Sequence, residues 1–344
     1  MARRLFGVRL SALSLLHFVT DALCISLIYG RLYPEDVGCA VLVFLFYNLA
    51  AFVLQAPIGL LIDRENKPKV LLLVSGVLLA AGYAFGSVTL LSAILLGLGN
   101  AAFHVAGGKW VSEESKNGIA SLGIFVATGA VGLFVGERYA CAPALTATLF
   151  CILALGILLL LFLPYAAIPE VDRKDTPAAP LRGFLLFLAV CAVVLMRALL
   201  GEVATADFAM VGTLPLLCTL ATALGKMGGG ILSHYIGIRW TVWLSMPTAF
   251  VCLLFFDGVP VLYILGVLAF NMSMPITLYY ANRLLVGREG FAFGTLAAFL
   301  IPGYFLGLCL PHAAAPYATF AAALLSLLLL LFIGRALGKE GGEE

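Results

Sequence analysis

His17 and Asp21, in the stretch "HFVTD", lie four residues apart within an otherwise apolar run from Leu10 to Ile28. One helical turn separates them, so an imidazole and a carboxylate share a face, and Ser14 and Cys24 extend that stripe. An ionised group at the bilayer centre costs at least about 2.5–3.5 kcal/mol, so Asp21 is expected to be paired, protonated or hydrated, as proton carriers are. A second imidazole, His104, follows Asn100 by one turn in "GLGNAAFHVAGGKWV". At about 1.5 Å per residue, His17 and His104 each sit roughly 10 Å from the inner ends of their helices, and Asn100 is level with Asp21. These residues predict one polar cluster of His17, Asp21, Asn100 and His104. The alternative is that the His and Asp pair is a fixed structural hydrogen bond.

The elements that position this cluster follow from composition. The chain is 63% hydrophobic and 11% charged, against about 45–50% apolar and about 25% charged in soluble domains, so lipid is its solvent. Apolar runs long enough to cross a bilayer recur throughout, and they lack the alternation of a barrel, so they are helices. Eight cysteines are scattered singly with no C-x-x-C and no histidine at metal spacing; they read as small core residues. Neither a metal ligand set nor a cofactor site is expected. The start "MARRLFGVRLSALSLL" carries the charges of a signal peptide, but its apolar run continues past Asp21 and reads as a first permanent helix.

Hydropathy and Gly/Pro punctuation place twelve spans near 10–30, 37–62, 69–86, 89–110, 118–136, 143–163, 182–201, 208–233, 239–256, 260–281, 289–310 and 313–334. The polar segment "YAAIPEVDRKDTPAAPLRG" divides them six and six. The expected organisation is an N-terminal bundle at 1–164, a cytoplasmic linker at 165–181 and a C-terminal bundle at 182–344. With both termini in the cytoplasm, sixteen of the 20 basic residues fall on the inner side, among them Arg9, Arg64, Lys67, Lys69, Lys109 and Arg239. That bias predicts a multi-pass protein of the cell membrane.

A shift of 171 residues superimposes Gly30 on Gly201, Gly59 on Gly230, Asn100 on Asn271, and Gly123, Gly132 and Gly136 on Gly294, Gly303 and Gly307. About two glycine matches are expected by chance at this glycine content. The shift carries each span onto its counterpart, as in transporters built from two parallel six-helix repeats.

"GLLIDRENKPK", from Gly59 to Lys69, resembles the loop between the second and third helices of the major facilitator superfamily, matching it at Gly59, Leu61, Asp63, Arg64 and Lys67. Asn66 stands where that family has glycine, and asparagine tolerates the left-handed backbone best among the alternatives. A weaker copy, "GGGILSHYIGIR", carries Gly230, has His234 at the Asp63 position, and supplies Gly237 and Arg239. The resemblance implies an all-α integral membrane fold of twelve helices in two pseudo-symmetric six-helix bundles. It also implies a cytoplasmic gate made of Gly59, Asp63, Arg64, Lys67, Gly230, His234 and Arg239. Asp63 lies at the electronegative end of its own helix, which requires a neighbouring cation or another helix's N-terminus to compensate. The other reading of Arg64, Lys67 and Lys69 is a solvated turn with positive-inside charges.

His17, Asp21, Phe103 and His104 also resemble the H-x-x-x-D and F-H-P signatures of the superfamily's fosmidomycin-resistance branch, with Val105 in place of the proline. In the superfamily, helices one, four, seven and ten face a central cavity. By that resemblance Asn271 joins Asn100, and Arg197 sits nearer the outside as a counter-charge or an anchor for an anionic solute, or else snorkels to the headgroups. Gly123, Gly132 and Gly136 are similar to the opening of the drug-antiporter glycine pattern, with Glu137 where proline belongs; close helix packing is the other reading. Pro215, Pro275 and Pro302 are expected to bend their helices.

The implied function is secondary active transport of a small solute, proton-coupled through Asp21, His17 and His104, with efflux as the direction of the resembling branch. Lipid, protons and the solute are the expected partners, and nucleic acid is not. No phosphate loop G-x-x-x-x-G-K-[ST] is present, which argues against ATP drive. The rival readings are a passive facilitator or uptake permease of the same fold, a transport-dead sensor or scaffold, and a membrane-embedded enzyme, for which only His17 and His104 could converge.

Overall fold

The structure, a computed structural model, describes residues 2–32, 37–116, 118–140, 142–165, 181–203, 212–255 and 259–341. Most of the expected linker, residues 166–180, and the expected start of the eighth span at 208 lie outside them. Among the described residues every regular element is helical.

Ten helices are long and apolar enough to cross a membrane: α1 Arg4–Leu32, α2 Gly38–Glu65, α4 Thr89–Glu114, α5 Ile119–Arg138, α6 Pro143–Phe162, α7 Leu181–Val203, α8 Leu214–Ile236, α10 Pro260–Leu284, α11 Glu289–Cys309 and α12 Ala315–Gly338. Two shorter apolar helices, α3 Pro68–Ala84 and α9 Ile238–Leu254, fill the remaining places in the order expected from hydropathy. Their exposed large hydrophobic side chains are Val, Leu, Trp and Tyr, as a lipid-facing surface requires.

The internal repeat reappears in the backbone. Leu32 and Val203, Glu65 and Ile236, and Arg138 and Cys309 end helices 171 residues apart. Asn66 and Gly237 (φ 52° and 86°) form one pair of positive-φ residues at that spacing, and Lys116 and Gly287 (φ 52° and 76°) form another. Asn66 closes α2 in the left-handed conformation, so it does the work of the glycine it replaces.

Proline explains three breaks. α2 passes through a π turn at Leu49–Val53 before Gln55–Glu65, α10 consists of Pro260–Asn271 and Ser273–Leu284, and α11 of Glu289–Ala298 and Leu300–Cys309. Pro57, Pro275 and Pro302 each lack the N–H that would bond the carbonyl four residues back, at Val53, Asn271 and Ala298. Pro215 departs from expectation: it lies in the first turn of α8, where its missing N–H is harmless and its fixed φ starts a helix rather than bending one.

The chain forms two compact units. The first takes in α1–α4, α5 from Thr128, α6 and the segment Gly287–Ala298; the second takes in residues 118–127, α7–α10, α11 from Phe299 and α12. Each unit therefore includes the first half of a helix whose second half belongs to the other. Glycine makes both arrangements possible. In the first unit a Cβ on Gly59 would fall 2.3 Å from the carbonyl oxygen of Gly290; in the second, one on Gly230 would fall 2.6 Å from that of Ile119. These two contacts are themselves related by the 171-residue repeat.

Candidate functional site

Within the first unit, α1 and α4 bring the four polar residues together. Asn100 Nδ2 donates to Asp21 Oδ1 at 3.1 Å. His104 Nε2 lies 3.5 Å from Asp21 Oδ1 and His17 Nε2 lies 3.4 Å from Asp21 Oδ2, so the two carboxylate oxygens face different imidazoles. The imidazole centroids are 4.6 Å apart in an edge-to-face arrangement. Helical spacing accounts for this: residues 17 and 21 stack on one face, residues 100 and 104 on the facing one, at equal depth.

The cluster is almost dry. His17 and Asp21 are 5% and 6% exposed, and the His104 side chain 13%. Phe103 covers one flank, its ring 6.0 Å from His17 and 5.7 Å from His104, and Phe293 covers another. Asp21 therefore faces polar partners inside the unit, not lipid. His104 Nδ1 lies 2.9 Å from the Asn100 carbonyl oxygen; a carbonyl only accepts, so this bond assigns the hydrogen to Nδ1. Gly129 on α5 leaves room beside the pair, since a Cβ there would fall 2.4 Å from both Asp21 Oδ2 and His17 Nε2. His17, Asp21 and His104 each offer a metal-ligand type of atom, all within 4.8 Å of one another; the cluster itself is expected from the sequence, but not as a set of metal-ligand types.

A second constellation surrounds Asp63 at the end of α2. Its carboxylate accepts from the backbone N–H of Gly290 at 2.9 Å and Phe291 at 2.7 Å, the first turn of α11. Lys109 Nζ donates to Asp63 Oδ1 at 3.1 Å and to Glu113 Oε1 at 2.5 Å. Asp63 thus receives both of the compensations that its place at a helix C-terminus demands, a cation and a foreign helix N-terminus.

Lys109 corrects the inventory of inner-side charges. It is fully buried inside α4 rather than in a loop, because the pair with Glu113, one turn on, and with Asp63 replaces its hydration. Arg9 is likewise buried, 2.7 Å from Glu114 and donating to the Pro164 carbonyl at 2.5 Å. Lys69 Nζ bonds the carbonyls of Leu161 and Leu163 at 3.0 and 2.5 Å, capping the C-terminus of α6. Tyr165 bonds Glu113 and stacks edge-on against Trp110. The signal for Lys109 was present as an i, i+4 Lys and Glu pair at the end of an apolar run.

Other predicted gate residues do not join these contacts. Arg64 is exposed, and Lys67 pairs with Glu65 at 3.6 Å with both side chains at least half exposed. His234 and Arg239 are exposed as well, so the second repeat has no counterpart of buried Asp63. In the second unit Arg197 reaches the Thr277 hydroxyl at 3.4 Å. Asn271 donates to the Val267 carbonyl of its own helix at 2.8 Å. Gly132 and Gly136 let α5 approach the Phe18 and Ala22 carbonyls of α1, which is the packing role.

No protein-family model matches the chain, and no curated protein matches it. Solved structures share its fold. The major facilitator superfamily transporter FucP in an outward conformation superimposes with a TM-score of 0.67 at 13% identity, over 96% of this chain and 98% of that one. The human organic anion transporter MFSD10 gives 0.70 at 15%, over 96% and 99%. A bacterial homologue of the iron transporter ferroportin, outward-facing, gives 0.64 at 15%, over 95% and 99%. A further FucP structure, of the E. coli fucose:proton symporter, gives 0.68 at 14%, over 95% and 98%.

Proposed function

From a major facilitator fold with one buried His, Asp and His cluster, we propose a secondary active transporter that moves a small solute by alternating access and couples it to protons through Asp21. The carrying observation is the placement of Asp21, held by Asn100 and set against two imidazoles midway along α1. A proton on Asp21, His17 or His104 changes the charge of this nearly dry cluster, and a charge change there alters the balance between packing arrangements. The E. coli fucose:proton symporter uses protons on this fold, which supports the coupling ion. Efflux rests on the resemblance of His17, Asp21, Phe103 and His104 to the fosmidomycin-resistance branch.

The gate in this proposal is the Asp63 latch. The bundles at 1–164 and 182–344, joined by the 165–181 linker, rock as repeats, and the α11 segment that Asp63 holds is released when they do. Arg197 and Asn271 supply the solute-facing polarity of the second bundle. The protein sits in the cell membrane with both termini in the cytoplasm, as its basic residues direct.

The test is flux in proteoliposomes, using a solute identified by thermal stabilisation of the purified protein and internal pyranine to report protons. Asp21→Asn is expected to abolish proton-coupled flux while leaving the protein monodisperse. Undiminished, still pH-dependent flux in that variant would refute the role of Asp21.

A further inference from the structure

We propose that His17, Asp21 and His104 form a binding site for a divalent first-row transition-metal cation. Two imidazoles and one carboxylate are the donor set of non-haem iron and catalytic zinc sites, and their nitrogen content selects first-row transition ions over Mg²⁺ and Ca²⁺.

The geometry is close to what such an ion requires. Metal–ligand bonds of about 2.1 Å place tetrahedral ligand atoms about 3.4 Å apart, and the observed separations are 3.4 Å between His17 Nε2 and Asp21 Oδ2 and 3.5 Å between His104 Nε2 and Asp21 Oδ1. All three donors lie within 4.8 Å of one another, so small side-chain rotations complete the set.

The outer contacts are also those of a metal centre. With a hydrogen on His104 Nδ1 directed at the Asn100 carbonyl, the neutral imidazole presents its Nε2 lone pair towards the Asp21 carboxylate. A cation at this position would be held by the Nε2 lone pair and the carboxylate together. A backbone carbonyl orienting the second nitrogen of a ligating histidine is the usual supporting contact, and the Asn100 amide on Asp21 Oδ1 plays the same part for the carboxylate. Gly129 lets α5 pack against the flank of His17 and Asp21, where a Cβ would collide with both.

This assignment stands apart from transport, since a protein that moves nothing would still bind the ion. Full-length protein purified without a histidine tag and stripped with chelator is titrated with Co²⁺, reading d–d absorption and calorimetric stoichiometry. One Co²⁺ per chain is expected, with Mg²⁺ and Ca²⁺ failing to compete. His104→Gln, Asp21→Asn and Gly129→Ala should each weaken binding at least tenfold, and His234→Gln should not, with thermal melts confirming that each variant is folded. Absence of stoichiometric Co²⁺ binding, or binding that survives in folded Asp21→Asn and His104→Gln, would overturn the site. Pyranine-reported proton flux measured without added metal tests the coupling role of Asp21 separately.

Discussion

The Asp63 carboxylate accepts the backbone N–H of Phe291 at 2.7 Å, a contact that spans 228 residues of sequence. Two residues further along that helix, the Phe293 ring lies 6.5 Å from the ring of His104 and fills the space left by Gly108, where a Cβ would fall 2.4 Å from it. One short helical segment, Glu289–Ala298, thus touches both the latch and the polar cluster. In this arrangement the segment that Asp63 holds also carries the ring covering His104.

The latch has an electrostatic signature. Removing one member of a buried ion pair costs about 3–5 kcal/mol, because the remaining charge stays buried. Lys109→Met is expected to lower the thermal midpoint of the purified protein by several degrees, with Asp63→Ala doing the same. Exposed Arg64→Gln should leave the midpoint unchanged. An equal effect of Arg64→Gln would show that net charge near the turn, rather than the buried pair, matters.

Glycine at 59 is required by contact, not by backbone angle. Gly59→Ala places a methyl 2.3 Å from the Gly290 carbonyl oxygen, and neither helix backbone can yield that distance cheaply. Gly201→Ala is the control, since a Cβ there meets nothing within 4 Å. Loss of flux and stability is expected for the first alone, measured by proteoliposome transport and melting.

At the ends of α2 and α8 the requirement is the opposite. Asn66, at φ 52° and ψ 43°, should accept glycine without loss, while Asn66→Val should cost about 1–2 kcal/mol for left-handed backbone. Gly237, at φ 86° and ψ 153°, occupies a region open to glycine almost alone, so Gly237→Ala should cost about 1–3 kcal/mol. Comparative melts of the four proteins decide this; a tolerated Asn66→Val would mean that the turn is free to rearrange.

Asn100 positions Asp21. A hydrogen bond to a charged group is worth about 1.5–3 kcal/mol, so Asn100→Leu is expected to reduce flux by about tenfold or more. Thr277→Val, which removes the Arg197 contact in the other unit, should leave Co²⁺ titration of the His17, Asp21 and His104 set unchanged.

The sequence by itself determined the span order, the repeat and the grouping of the polar cluster. Apolar length sets how far a helix travels through lipid, and a fixed rise per residue converts position into depth, which is why His17, Asp21, Asn100 and His104 were legible as one group. The Asn66 turn was legible too, since backbone preference is local. What only the tertiary structure decided is which distant groups complete these elements. Lys109 reads as one more inner-side charge until α2 and α4 bring Asp63 beside it, and nothing near Asp63 in sequence points to Gly290 and Phe291. Arg64 and Lys67 fit the same motif yet remain exposed, while Asp63 and Lys69 find partners in other helices. Hydrophobic pattern acts over a few turns of one helix, whereas the partner of a buried charge is chosen by packing across the fold.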